Sequence, residues 1–304
     1  MTQNVLLAGA TGMLGGRIAH HLLLEPEIHL RLLVRSAERP NQQALLKPLI
    51  ERGAEVVQGD LSDPPSLDRA TQGADVIISA VQGGPDVIVD GQVALAQSGA
   101  RNGARRILPS DYGLDLFQAT PGEHLMFDLR RTADEQIAAT GIQQINVLQG
   151  AFMEMFAPGA GTFDDDTGTV TYWGDGTQMI DTTSLEDTAR MVARIALDPG
   201  VQEGKFAFAG DRLSILDATK VIEAQTGRTF KHLVMGTEAE LRAAHSQALQ
   251  ETSHPFAAVL LAYQLYMLIG QTNLSHLQNG RYPDVPLENF TQFAARALPQ
   301  RRTA

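Results

Sequence analysis

The stretch that decides the fold is Gly9-Ala10-Thr11-Gly12-Met13-Leu14-Gly15, which directly follows an apolar run at residues 5–8. The run predicts a buried strand, and the pattern from about residue 12 to 24 predicts a helix. In such a junction Gly9 makes the tight turn, Gly12 lets the backbone approach a pyrophosphate, and Gly15 lets the helix pack closely. The free N–H groups and positive dipole end of the helix favour phosphate. We therefore predict a dinucleotide site formed by Gly9, Thr11, Gly12, Met13, Leu14 and Gly15; the alternative is a glycine-rich turn without a ligand.

Outward from this junction, continuous Val/Ile/Leu strands alternate with helical segments as far as residue 148. Such strands are typical of a parallel sheet covered on both faces, and strict alternation predicts double winding. The second half is less regular. We expect an α/β protein, with a Rossmann-type doubly wound parallel sheet in an NADP-binding domain over residues 1–150. Residues 151–304 are expected to form a smaller C-terminal substrate lobe, with some segments returning to the sheet.

Composition excludes several classes of protein. The 304 residues include no cysteine, which rules out disulfides, thiolate metal sites and a cysteine nucleophile. A net charge of −11 disfavours nucleic-acid binding. No apolar run is long enough for a membrane span, and the N-terminus does not resemble a signal peptide. The triplet Asp164-Asp165-Asp166 is interpreted as a solvated turn, so no metal is predicted. We expect a cytoplasmic protein with neither nucleic-acid nor membrane partners.

The residue after the second strand indicates the cofactor. Many NAD sites carry an acidic residue there, whereas this chain has Arg35, whose guanidinium suits a 2′-phosphate. Lys47 and Arg39 could add positive charge, and NADP is therefore favoured over NAD; the alternative is a solvated surface arginine. Ligands of such sheets lie beyond the carboxyl ends of the strands. On that basis the adenine would border Asp60 and Leu61, and the ribose would border Ala80, Val81 and Gln82.

Several segments together resemble one family. They are Gly9–Gly12, residues 33–35 and 59–61, Leu108-Pro109-Ser110-Asp111-Tyr112-Gly113, Gly174-Asp175-Gly176 with residues 185–187, and Tyr282-Pro283-Asp284-Val285. In this order they resemble the NmrA-like, isoflavone reductase-like atypical short-chain dehydrogenase/reductases. The resemblance implies NADPH-dependent reduction of aromatic substrates and places Phe152 near the nicotinamide; the alternative for Phe152 is core packing. Relatives in that group include quinone reductases and regulators that bind the dinucleotide without turning it over.

The catalytic residues depart from familiar patterns. The tyrosine–lysine pair of ordinary short-chain dehydrogenases is absent, because the only lysines are Lys47, Lys205, Lys220 and Lys231. The resemblance implies a lysine on the helix after the fifth strand, and Arg130 occupies that position. Arginine stays protonated and is a poor base, but it can stabilise negative charge developing on an oxygen. The proton could come from Tyr112, His124 or solvent. The alternative for Tyr112 is an aromatic packed against the cofactor loop, and the alternative for His124 is a residue that caps or decorates a helix start. The alternative for Arg130 is a surface ion pair with Asp134, one helical turn on.

The sequence thus favours an NADPH-dependent reductase that transfers hydride to a small aromatic, quinone or conjugated carbonyl substrate. Arg130 and Tyr112 are its candidate catalytic residues. The alternative is a non-catalytic NADP(H)-sensing regulator that binds a protein partner. The substrate stays undetermined, and a monomer and a homodimer are both open.

Overall fold

The structure is a computed structural model that describes residues 2–36, 40–250 and 255–298, without the side chains of residues 40, 41 and 255. The strands are β1 Gln3–Ala8, β2 Ile28–Val34, β3 Glu55–Gln58, β4 Val76–Ser79, β5 Arg106–Leu108, β6 Gln143–Leu148, β7 Ala151–Phe152, β8 Phe163–Asp164, β9 Thr169–Tyr172, β10 Ile180–Thr183, β11 Gly204–Ala207, β12 Asp211–Leu213 and β13 Lys231–Val234. The helices are α1 Met13–Leu22, α2 Pro40–Ile50, α3 Pro64–Thr71, α4 Gln92–Arg101, α5 Leu125–Ala138, α6 Leu185–Leu197, α7 Ile215–Thr226, α8 Glu238–Gln250, α9 Pro255–Ile269 and α10 Phe290–Ala297. None of the helices in the described ranges is both long and apolar enough to cross a membrane.

The central sheet has seven strands in the order β11-β6-β5-β4-β1-β2-β3. Strand β1 pairs in parallel with β2 on one side and with β4 on the other, with Val5 opposite Leu30 and Val76. The strand order therefore reverses at β1, which is the switch point of a Rossmann-type sheet. This arrangement confirms the predicted doubly wound α/β fold and places the glycine-rich stretch at the switch point.

The chain forms two compact units, each with its own apolar core. The first contains residues up to Tyr112 together with Leu129–Val147 and Thr188–Phe206. Its core includes Leu6, Leu33, Leu67, Ile77, Leu95, Ile107, Ile137 and Ile142. The second contains Gly113–Asp128, Leu148–Asp187 and the chain from Ala207 onward. Its core includes Leu116, Phe127, Phe156, Phe163, Ile222, Phe230, Tyr266, Phe290 and Phe293. Most of α6, from the C-terminal half of the chain, belongs to the first unit, and β11 adds a strand to the central sheet.

Two short sheets account for the less regular second half of the sequence. One has the order β12-β10-β7, and the other has the order β13-β9-β8. The sequence predicts strands at residues 169–173 and 179–182 around the turn at 174–176. The structure contains both strands, but it pairs β9 with β8 and β13, and β10 with β7 and β12. The turn therefore separates two sheets and does not join the strands of a hairpin.

The helix that follows β4 begins differently from the prediction. The sequence predicts one helix over residues 87–102, whereas Asp86–Gly91 forms a wider π-helical turn ahead of α4. At Gly91 an added Cβ would lie 2.9 Å from the Cβ of Leu61. The absence of a side chain there allows this turn to pack against the segment that follows β3.

A buried arginine ties β5 to the carboxyl end of α6 within the first unit. Arg106 is 1% exposed. Its Nη1 donates to the carbonyl oxygens of Ile195 at 3.1 Å, Ala196 at 3.2 Å and Asp198 at 2.7 Å. Its Nη2 donates to the carbonyl of Val201 at 3.3 Å. The last carbonyls of a helix have no partner within the helix, and a cation there also complements the helix dipole.

Arg106→Met keeps much of the side-chain volume but removes these donors. We expect it to lower the free energy of unfolding by about 3 kcal/mol, because several buried carbonyls lose a charged hydrogen-bond donor. The matched control is Arg105→Met at the neighbouring exposed position, which we expect to change stability by no more than about 0.5 kcal/mol. Denaturant unfolding of both variants would check this, and equal stabilities would contradict the capping role.

Candidate functional site

The glycine-rich stretch is held by close backbone contacts within the first unit. Gly9 has a φ of 90°, the left-handed region that favours glycine. A Cβ on Gly9 would lie 2.3 Å from the carbonyl oxygen of Ala80, and one on Gly15 would lie 2.1 Å from that of Gly9. Gly12 donates its N–H to the Gly9 carbonyl at 2.9 Å. The tight turn expected at Gly9 is present, and Gly15 allows α1 to approach the turn itself.

The start of α1 has the properties expected of a phosphate site. Gly12 is the cap residue and has no side chain with which to occupy the first N–H groups, and the first turn contains no acidic residue. Met13 is 76% exposed, whereas Thr11 and Leu14 are half-buried. The close contacts of Gly9 and Gly15 form a glycine cradle that a Cβ would fill, and the uncapped helix start lies beside it. This arrangement fits the pyrophosphate of a dinucleotide.

The ends of β2 and β3 bring Arg35 and Asp60 together. Asp60 Oδ1 accepts hydrogen bonds from Ser62 N at 2.9 Å and Ser62 Oγ at 2.8 Å. These bonds, and secondarily the charge of Arg35, hold the pKa of Asp60 below its usual value. Arg35 is exposed and Leu61 is half-buried. Lys47 lies in the last turn of α2, 3.8 Å from Glu51, and Arg39 lies outside the described residues.

The segment after β4 is joined to the segment after β5 by one side chain. Ala80 and Val81 are half-buried, and Gln82 is exposed. Ser110 Oγ donates to the carbonyl of Val81 at 2.8 Å. The backbone N–H of Ser110 in turn donates to Gln92 Oε1 at 2.9 Å. Ser110 therefore fixes the spacing between the strand ends where the ribose was predicted.

Arg130 also forms a hydrogen bond with Ser110. Its Nε donates to the Ser110 carbonyl at 3.0 Å, so the candidate oxyanion residue and Val81 bind opposite ends of Ser110. The alternative of an ion pair with Asp134 was wrong about its surface location, because Asp134 is 5% exposed. Burial raises the pKa of Asp134 and the charge of Arg130 opposes that rise, so the two groups interact. Its Oδ1 accepts a hydrogen bond from Gln144 Nε2 at 2.9 Å. Asp134 lies on the inner side of α5.

Tyr112 has a buried hydroxyl group that finds no hydrogen-bond partner among the described residues. Burial, and secondarily the charge of Asp111, raise the pKa of Tyr112 far above its usual value. The hydroxyl therefore keeps its proton, which makes it a hydrogen-bond donor and a very weak acid.

The two remaining candidates belong to the second unit. His124 is buried, its ring stacks on Phe127 with centroids 3.8 Å apart, and its Nδ1 accepts from the Phe127 N–H at 3.3 Å. His124 thus helps to start α5, as one interpretation of the sequence predicted. Phe152 ends β7 and is half-buried.

The acidic triplet forms hydrogen bonds within its own turn. Asp164 Oδ1 accepts from the N–H groups of Asp166 at 2.9 Å and Thr167 at 3.0 Å, and Asp165 pairs with Arg228. Across the described residues, no group of three or more acidic or histidine side chains is placed to hold a metal ion.

Sequence reasoning missed three residues of this region: Ser110, Asp134 and Asn146. Ser110 was part of a recognised motif, but nothing in the motif indicated that it bridges two loops. Asp134 was predicted only as a surface partner of Arg130 but is buried on α5, and Asn146 is buried on β6, within a segment predicted as a strand. The usable signal was the segment 143–148, whose predicted burial between helices left Gln144 and Asn146 in need of partners.

The family follows from comparison of the whole chain. The profile of the NmrA-like family matches residues 1–258. The chain belongs to the NmrA-like family. Among sequence relatives, pinoresinol reductase 1 of Arabidopsis thaliana is 29% identical over 64% of this chain and 65% of its own length. The chain thus matches slightly less than two thirds of that relative. An isoflavone reductase homolog of Zea mays is 26% identical over 97% of this chain and 98% of its own length.

Solved structures with the same fold include complexes with a bound cofactor. AtPrR2 with NADP⁺ and (+)-pinoresinol superposes with a TM-score of 0.83 at 22% identity, over 97% of this chain and 98% of that one. The leucoanthocyanidin reductase–NADPH complex of Vitis vinifera gives a TM-score of 0.81 at 22% identity, over 96% and 98% of the two chains. At these identities the likeness shows a shared fold.

Gly15→Ala tests the cradle. The new Cβ would lie 2.1 Å from the Gly9 carbonyl oxygen, so the turn must shift. We expect NADPH affinity to fall at least about tenfold, with a loss of about 1–3 kcal/mol in stability from overpacking. The measurement is NADPH binding by fluorescence titration, with unfolding in parallel.

Gly16→Ala is the matched control on the same helix. Its Cβ would lie 3.2 Å from the Ala10 carbonyl oxygen, and the strain is offset by a gain in helix propensity of up to about 1 kcal/mol. Unchanged affinity in Gly15→Ala, or equal losses in the two variants, would argue against the cradle.

Proposed function

We propose that this chain is an NADPH-dependent reductase that transfers hydride to a small aromatic, quinone or conjugated carbonyl substrate. The observation that carries the proposal is the glycine cradle at an uncapped helix start, at the switch point of the sheet. It is supported by sequence relatives named as pinoresinol and isoflavone reductases, and by same-fold structures that hold NADP⁺ or NADPH.

The cofactor would be held by groups of the first unit. The pyrophosphate would lie on the N–H groups of the α1 start, beside Gly9, Gly12 and Gly15. Arg35 would bind the 2′-phosphate, with Asp60 and Leu61 bordering the adenine and Ala80, Val81 and Gln82 bordering the ribose. Lys47 is a weaker candidate because Glu51 is its neighbour. Phe152 stays a proposal from the family resemblance. NADPH supplies the hydride.

Arg130 would stabilise the oxygen of the substrate as negative charge develops on it. A guanidinium does not give up its proton, so Arg130 acts as a fixed cation and the proton must come from elsewhere. Tyr112, with its strongly raised pKa, is suited to donating a hydrogen bond. These properties favour substrates whose reduction places charge on an oxygen, such as quinones and conjugated carbonyls.

The first experiment is NADPH oxidation by the purified protein, measured against quinones, conjugated aldehydes and phenylpropanoids, with NADH alongside. Turnover of an aromatic or carbonyl acceptor is the expected result. Tight NADPH binding with no consumption across the whole panel would contradict the reductase and favour the NADP(H)-sensing regulator.

Arg35→Asp tests the choice of cofactor. We expect NADPH affinity to fall roughly 10- to 100-fold, the effect of losing charged hydrogen bonds to a phosphate, while NADH affinity changes little. Arg69→Asp, at an exposed arginine of α3, applies the same charge change elsewhere and should alter neither affinity. Equal losses of NADPH and NADH in Arg35→Asp would remove Arg35 from the phosphate site.

Arg130→Ala tests the cation at the reaction centre. We expect kcat to fall about 100-fold, the usual effect of removing an oxyanion donor, with NADPH affinity nearly unchanged. Arg131→Ala, one residue along the same helix, is the control for charge and helix stability. If both variants keep the wild-type kcat, Arg130 has only a structural role.

A further inference from the structure

A pair of buried carboxyl groups lies beside Arg130, and the proposed function gives it no role. Asp111 follows β5 and is 1% exposed, and Asp134 on α5 is 5% exposed. Their amide partners Asn146 and Gln144 lie two residues apart on β6, so both carboxyl groups lie on the same face of that strand. Burial, and secondarily the charge of Asp111, raise the pKa of Asp134. Two ionised carboxylates in contact inside a protein repel strongly, so such a pair normally retains a proton.

The amide groups of β6 satisfy one oxygen of each carboxyl group. Asn146 Nδ2 donates to Asp111 Oδ2 at 2.8 Å, and Gln144 Nε2 donates to Asp134 Oδ1 at 2.9 Å. The other two oxygens, Asp111 Oδ1 and Asp134 Oδ2, are buried and have no further partner among the described residues. A proton between these two oxygens satisfies both of them.

Arg130 supplies the opposite charge. Its guanidinium favours the ionised form of both carboxyl groups. Tyr112, whose pKa is raised by burial and in part by the charge of Asp111, also lies beside the pair and stays neutral. The side chains with which β6 contacts the pair, Gln144 and Asn146, are uncharged amides. One shared proton leaves the pair with a single negative charge beside the positive charge of Arg130. Two ionised carboxylates would place a second negative charge in the interior.

We propose that Asp111 and Asp134 share one proton and, through their remaining negative charge, position the guanidinium of Arg130. They are positioning residues, since they act on the reaction through Arg130. The part of this inference that concerns turnover rests on the proposed function, whereas the shared proton and its link to Arg130 do not.

Infrared spectroscopy tests the shared proton in the intact protein. Burial raises the pKa of both carboxyl groups, that of Asp134 the further of the two. With aspartate carboxyls labelled with ¹³C, wild type at pH 8 should show the isotope-shifted C=O stretch of one protonated carboxylic acid. Asp134→Asn should lack that band, and Glu135→Gln, which removes an exposed carboxyl from the same helix, should keep it. No acid band in wild type at pH 8 would overturn the proposal, even if a variant failed to fold.

The pH dependence of stability provides a second readout. Unfolded aspartates ionise near pH 4, whereas the folded pair keeps its proton above that pH, so stability falls as pH rises until the pair ionises. Between pH 6 and 8 the folding constant of wild type should fall about tenfold per pH unit relative to Asp134→Asn. Glu135→Gln should follow wild type. Parallel curves for wild type and Asp134→Asn would contradict the shared proton.

Replacing the arginine tests the link to Arg130 without any assay of activity. In Arg130→Leu the remaining negative charge loses its counterion, so the pair should take up a second proton at a higher pH than in wild type. The acid band should therefore double in intensity on acidification earlier than in wild type. Arg131→Leu is the control and should titrate like wild type. An unshifted titration in Arg130→Leu would show that Arg130 is not the counterion.

Turnover tests the positioning role. Asp111→Asn/Asp134→Asn removes the negative charge, and we expect kcat to fall about tenfold while the KM for NADPH changes little. Each single variant retains one carboxylate, so its kcat should be closer to the wild-type kcat than that of the double variant is. Equal kcat values in wild type and the double variant would overturn the positioning role. Absence of turnover in wild type would contradict only the proposed function, because the infrared titrations test the shared proton and its link to Arg130 independently.

Discussion

The close approach of three backbone segments is the constraint on which the candidate site depends. The turn at Gly9 lies so near Ala80 on one side and Gly15 on the other that a single Cβ at either glycine would overlap a carbonyl oxygen. Because β1 pairs with both β2 and β4, this turn lies where the strand order of the sheet reverses. The contact directs the start of α1 toward the carboxyl edge of the sheet, where an anionic ligand can reach its N–H groups.

A short series of hydrogen bonds extends this constraint to the candidate catalytic residue. Ala80, which limits the space at Gly9, is followed by Val81, whose carbonyl accepts from Ser110 Oγ. The carbonyl of Ser110 accepts from Arg130. The residues proposed for cofactor and for oxyanion are therefore linked through backbone groups and one serine. Both bonds are donated by side chains to backbone carbonyls, so this link depends on the serine at position 110 and the arginine at position 130.

The sequence was most informative where local signals agreed. Helix α7 lies at the predicted residues 215–226, with a Ser214 capping box and Gly227 at a φ of 67°. The parallel strands were predictable because both of their faces are apolar. The pairing of β9 and β10 was not, since their partners β7 and β8 have only two residues each and carry no periodicity. The prediction of a surface position for Asp134 was wrong because it rested on the four-residue spacing from an arginine. That spacing describes helix geometry and contains no information about burial.

A chain with a net negative charge can still carry a cationic centre. A net charge of −11 describes the whole surface, whereas the field at a buried group is set by its nearest neighbours. Around Arg130 those neighbours include two carboxyl groups, and full ionisation of both would cancel and exceed its charge. A proton held between Asp111 and Asp134 limits the opposing negative charge to one. The amides of Gln144 and Asn146 each satisfy one oxygen of a carboxyl group without adding charge. The single negative charge of the Asp111–Asp134 pair then holds Arg130 in place, and no second negative charge is buried.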